Sequence, residues 1–276
     1  MTRETTSSPY LSESRRRELG ELAEFIADEH CQGEGPVDPE LILQSKGVTL
    51  SYGNYKDAFD GLLEHRDGRF HVYCNASRCR TKTRKRFTLG HELGHYFIDE
   101  HREALRGGNT PSHASFPLDS SNPAEREADS FAASLLAPEL RLRRALGKRG
   151  HQMESVLDLA RTFDVSPLVV AGRLLDFDEG LLASVFWTAE GYKWKRLSET
   201  ARRSQMRKTI EEMDGLPQDS PTACALRGEQ GDLPFHSAGT TASSWFPHCM
   251  SPDLLVEEAV SLGEFGVLTL LRRCPS

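Results

Sequence analysis

Apolar residues recur at three- and four-residue spacing in the first part of the chain and at alternate positions near residues 47–75, a change of period that separates helices from strands. Leu19, Leu22, Phe25 and Ile26 predict a helix over Arg17–Glu29, behind a polar tail at residues 1–16 rich in Ser, Thr and Arg. After a Gly- and Pro-rich turn, Asp38 is placed to cap a short helix through Leu43, with Pro39 at its first position. Gly47–Tyr52 reads as a strand. So does Arg69–Asn75, where Phe70, Val72 and Cys74 alternate with His71 and Tyr73. A long helical pattern covers Thr81–Ile98, a loop follows over Arg106–Asn122, and Pro123–Leu136 is a third strong helix that ends before Pro138. Residues 139–180 read as helical throughout. From Leu181 the texture changes: short apolar runs such as Ala183–Trp187 and Gly266–Leu271 alternate with Gly, Ser and Pro clusters, while 214–244 predicts turns. The expected fold class is α+β, divided into the tail 1–16, a first domain 17–145, a helical segment 146–180 and a C-terminal α+β domain 181–276.

Composition adds boundaries. Lys and Arg number 34 against 41 Asp and Glu, a net charge of −7, with 38% hydrophobic and 27% charged residues. That balance suits a globular chain and opposes one whose main work is neutralising phosphates. No stretch nears the roughly 18 apolar residues of a membrane span. The first twenty residues lack the apolar core of a secretory signal. A cytoplasmic protein without membrane contact is therefore expected, and its six cysteines, none in a two-residue-spaced pair, are expected as free thiols.

The sharpest chemical signal is His91-Glu92-Leu93-Gly94-His95. Residues four apart return to nearly the same helix face about 6 Å along the axis, so the imidazoles of His91 and His95 stack and can share one Zn²⁺. Glu92 sits one position round, placed to take a proton from the attacking water, as a metallopeptidase requires. A catalytic zinc site needs a third protein ligand and an open position. The next strong helix opens with Ala124-Glu125-Arg126-Glu127-Ala128-Asp129. Glu125 and Glu127 point about 160° apart, so only one of them can be the ligand. Glu125 is preferred because Asp129 follows it one turn later, where it can accept the ring N–H of a ligating histidine and fix its tautomer. Glu127 then reads as a solvated charge.

The run Arg86-Phe87-Thr88-Leu89-Gly90-His91-Glu92-Leu93-Gly94-His95, followed by Glu125-Arg126-Glu127-Ala128-Asp129-Ser130-Phe131-Ala132-Ala133-Ser134-Leu135-Leu136-Ala137-Pro138, resembles the ImmA/IrrE family of metallopeptidases. The likeness covers about residues 17–140. It departs at Gly90, where the family pattern has Ala, and at Ala137, where it has Met. The resemblance implies a zincin-like peptidase domain with a small sheet, His91, His95 and Glu125 as ligands of Zn²⁺ (Mn²⁺ or another divalent ion being an alternative), and Glu92 as general base. It also implies cleavage of a partner repressor protein that switches on stress-response or mobile-element genes.

Other features have plainer readings. Tyr96, His101 and His113 are near enough to the motif to be candidates for an oxyanion donor, each with a packing or solvated alternative. The strand Arg69–Asn75 is expected to form an edge along which an extended peptide can pair. Residues 155–175 resemble a helix-turn-helix, with Ser166 capping a second helix that starts at Pro167. Residues 151–180, however, carry two basic side chains, Arg161 and Arg173, against six acidic ones, which opposes DNA binding. A transcription regulator with a structural metal is the alternative function. The C-terminal third carries no recognised motif.

Overall fold

The computed structural model describes residues 11–31, 33, 35–108, 122–177, 179–204, 216–229, 231, 233–246, 249 and 254–274. They are mixed α+β, and the chain forms two compact units: Met1–Arg143 with Thr162–Val165, and Arg144–Arg161 with Ser166–Ser276.

The first unit opens with α1 (Glu13–His30) and α2 (Pro39–Ser45). Ser12 caps α1 by accepting from the Arg15 backbone N–H, and Leu19, Ala23, Ile26 and Ala27 form its buried face. The helix begins four residues before the expected Arg17, within the stretch read as tail. Residues 13–16 carry no apolar signal, and their helical state rests on the cap. Asp38 caps α2, with Pro39 in the first turn as read.

Three strands follow: β1 (Thr49–Gly53), β2 (Gly61–Arg66) and β3 (Arg69–Asn75), in the order β1-β3-β2. β1 runs parallel to β3, pairing Thr49 with His71. β2 and β3 form a hairpin closing Arg66 onto Arg69. The expected edge position of Arg69–Asn75 is therefore wrong: β3 is central, paired on both sides. The pattern missed β2. Its signal was the Asp67-Gly68 dipeptide, whose φ values of 51° and 76° suit the tight turn that hairpins favour.

Four helices complete this part of the chain: α3 (Lys82–Phe97), α4 (Asp99–Arg106), α5 (Pro123–Leu136) and α6 (Glu139–Leu146). Thr81 caps α3 and Asn122 caps α5. Leu89 and Leu93 of α3 and Phe131 and Leu135 of α5 join the core formed with Ile26, Ile42, Leu63 and Val72. Arg86, 8% exposed, donates to the carbonyls of Val37 at 2.7 Å and Asp164 at 2.9 Å.

α7 (Met153–Phe163) and α8 (Pro167–Asp176) follow, with Asp164 at φ 53° in the turn and Ser166 capping α8. This is the helix pair that residues 155–175 predict. In the second unit, β4 (Leu181–Thr188), β5 (Gly191–Leu197), β6 (His236–Thr241), β7 (Leu254–Ser261) and β8 (Val267–Arg273) form an antiparallel sheet in the order β5-β4-β8-β7-β6. The short helices α9 (Glu199–Arg203), α10 (Pro221–Leu226) and α11 (Ala242–Trp245) lie between its strands in sequence. β4 is buried from Leu181 through Trp187, so its residues are apolar on both faces apart from Ser184 and do not alternate. Where turns were expected, α10, β6 and α11 form. β6 pairs with β7, and buried Glu257 of β7 holds α10 and α11, accepting from the Thr222 backbone N–H at 2.9 Å and from Trp245 Nε1 at 3.0 Å. The six cysteines are free. Among the described residues no helix is long and apolar enough to cross a membrane.

Candidate metal centre

The helical period stacks His91 and His95 on one face of α3, with ring centroids 4.8 Å apart and their Nε2 atoms 3.1 Å apart. α5 crosses that face closely. A Cβ on Gly94 would lie 2.9 Å from the Ala128 Cα, a distance that only glycine tolerates. This approach delivers Glu125, whose Oε2 lies 3.3 Å from His91 Nε2 and whose Oε1 lies 3.5 Å from His95 Nε2. Four ligands at about 2.0–2.1 Å from a tetrahedral zinc stand about 3.3–3.4 Å from one another; one ligand atom from each of His91, His95 and Glu125 lies within 4.8 Å of the others, close enough to hold a single ion. Glu125 Oε1 is buried with no hydrogen-bond partner, a cost that a bound cation would remove. His95 is fully buried, whereas the His91 side chain keeps 13% exposure, which leaves solvent access on the His91 side.

The electrostatics agree with a cation site. Burial works against charge on His91, but Asp129 and Glu125 outweigh it and raise the imidazole to about 10. His95 goes the other way: burial, with the neighbouring His91 charge, lowers it to about 3 despite Glu125. Burial also opposes the Glu125 carboxylate, yet the two imidazoles hold it well below the usual range.

Glu92 is 1% exposed and faces β2. Burial, reinforced by the charge of Glu125, pushes its carboxylate up to about 7, against the pull of His91 and a hydrogen bond from the Leu63 backbone. A Cβ on Gly61 would lie 2.5 Å from Glu92 Oε1, so the first residue of β2 leaves room for this carboxylate. Its Oε2 has no hydrogen-bond partner. Asp129 accepts from His91 Nδ1 at 2.8 Å, which orients that ring with Nε2 toward Glu125.

Two residues differ from expectation. Glu127 is not a solvated charge: its side chain is 16% exposed, with Oε2 2.7 Å from Arg15 and 3.3 Å from His101 Nε2. His101 is not a loop residue. It is buried on α4 with Nδ1 3.2 Å from His95 Nδ1. The sequence signal was weak, because the first turn of α5 shows two glutamates with similar neighbours. Tyr96 packs edge-on against Phe70 at 5.2 Å. His113 lies outside the described residues.

Residues 57–175 match the Peptidase_M78 family, described as the IrrE N-terminal-like domain. The matched segment contains His91, Glu92, His95, Glu125 and Asp129. The likeness to ImmA/IrrE proteins read from the two motifs is thereby shown. No curated protein matches the chain. Among solved structures, a Mycobacterium tuberculosis transcriptional regulator is similar, with a TM-score of 0.62 at 15% identity over 94% of this chain and 90% of that one. At that identity the likeness is one of fold.

Proposed function

We propose that the chain is a zinc-dependent endopeptidase of narrow specificity that cleaves a partner protein, a transcriptional repressor, in the cytoplasm. One observation carries the reading: His91, His95 and Glu125 converge on one point with Glu92 beside them, inside a peptidase-family domain. A divalent ion bound there supplies Lewis acidity, favouring ionisation of water and neutralising charge that develops on the scissile carbonyl. Glu92 supplies the base. Its raised proton affinity suits it to take a proton from water near neutral pH and return it to the leaving amine. β2 supplies the rail. Among the described residues its outer edge is unpaired, and an extended peptide added there runs past Leu63 and Glu92.

The test is incubation of the purified chain with candidate repressors, with and without a chelator. A discrete fragment that disappears with chelator and in Glu92→Gln is expected, with zinc retained by that variant. Cleavage by Glu92→Gln at the wild-type rate would overturn the mechanism.

The α7–α8 pair supports a second reading, a DNA-binding regulator. Its charge opposes that reading, since Arg161 is paired with Asp158 and Arg173 with Asp176. A steeply salt-dependent gel shift would favour it.

A further inference from the structure

The metal-centre reading leaves three residues unused: Arg15 on α1, His101 on α4 and Glu127 on α5. They form a line that ends on His95. Arg15 Nη2 lies 2.7 Å from Glu127 Oε2, Glu127 Oε2 lies 3.3 Å from His101 Nε2, and His101 Nδ1 lies 3.2 Å from His95 Nδ1. His101 is 8% exposed and His95 is fully buried, so their contact is shielded from solvent.

We propose that His101, oriented by Glu127, is a positioning residue that fixes His95 in the tautomer whose Nε2 presents a lone pair to the metal. The inference rests on the metal-centre reading and adds to it the residue that orders its most buried ligand.

The argument is one of donors and acceptors. A carboxylate only accepts, so the nitrogen of His101 that faces Glu127 carries the proton. In neutral His101 the other nitrogen, Nδ1, is then bare and must accept, which places the proton of His95 on Nδ1. His95 Nε2 is left with its lone pair beside His91 Nε2, 3.1 Å away, and beside Glu125. A reversed line would put N–H on His95 Nε2, where it would occupy the position a metal needs. Arg15 holds the Glu127 carboxylate in place from the far side. His91 is ordered by a carboxylate directly, through Asp129, whereas His95 reaches its carboxylate through a second imidazole. The two ligands are thus held by different residues, and α1 and α4 join the site through the longer route.

Zinc affinity tests the proposal, measured on the full chain by competition with a chromophoric chelator. Loss of an outer partner of a metal-bound histidine typically weakens binding 10–100-fold, and His101→Leu is expected to do so. His101→Gln, whose amide can both accept from His95 and donate to Glu127, is expected to keep most of the affinity, which separates the hydrogen-bond role from packing. ¹⁵N-histidine NMR of the zinc-loaded wild type should show His95 protonated at Nδ1. The relay alone is overturned if the wild type binds zinc and His95→Ala does not, while His101→Leu binds like the wild type. It is likewise overturned if His101→Gln loses as much as His101→Leu. A wild type that takes up no zinc overturns the metal centre and the relay together.

Discussion

Glu92 and Gly61 show how closely a single residue is bound to its surroundings. The Glu92 carboxylate occupies space that any side chain at position 61 would claim. Gly61→Ala should therefore leave zinc affinity unchanged while displacing the base. A misplacement of about 1 Å costs on the order of 10²-fold in rate, so cleavage should fall by roughly that factor. A variant that cleaves at the wild-type rate would show that the base tolerates displacement. The pH profile follows from the same residue. Its carboxylate is raised to about 7, so its base form is depleted as the pH falls through that value. kcat/KM for the cleaved partner should decline on the acid side with an inflection near 7. An inflection at the ordinary carboxylate value would mean that burial does not tune this group.

At the scale of elements, the decisive contact is α3 against α5. Two glycines of α3 face α5, and they differ. A Cβ at Gly94 would lie 2.9 Å from backbone, whereas at Gly90 it would meet the Ala132 side chain at 3.4 Å. Gly94→Ala should force the helices apart, destabilise by about 1–3 kcal/mol and weaken zinc binding by moving Glu125. Gly90→Ala should be tolerated and stabilise by up to about 1 kcal/mol through helix propensity. Thermal melts with parallel zinc titrations check both. Equal effects of the two substitutions would contradict the packing account.

At the scale of the molecule, metal uptake should couple to folding and to protons. A ligand present at 100 times its Kd stabilises by about 2.7 kcal/mol, so zinc should raise the thermal midpoint and a chelator reverse it. His91 holds its proton up to about 10 in the metal-free site, and binding must displace it. Zinc affinity should therefore rise with pH across the neutral range, with proton release detectable by calorimetry in buffers of different ionisation enthalpy. Affinity independent of pH would mean that His91 is neutral before the metal arrives.

What was legible in the sequence was periodic or covalently local. The stacking of His91 on His95, the step round to Glu92 and the caps at Asp38 and Ser166 follow from helix geometry within one turn. The preference for Glu125 over Glu127 likewise came from helix angles, with Asp129 one turn on. Contacts between segments distant in the chain were not legible. The sequence points Glu127 to solvent because nothing near it in the chain is its partner. Arg15 lies 112 residues away and His101 on another helix. Periodicity alone does not separate a central β3 from an edge strand, because the pairing of β1 and β2 depends on chain crossings that it does not record. The sequence by itself thus determined which residues could form a metal centre and which face each would share. How closely α3 and α5 approach, which side chains touch His91 and His95, and which strand lies beside Glu92 are set by the folded chain, because each depends on distances between segments that local order leaves free.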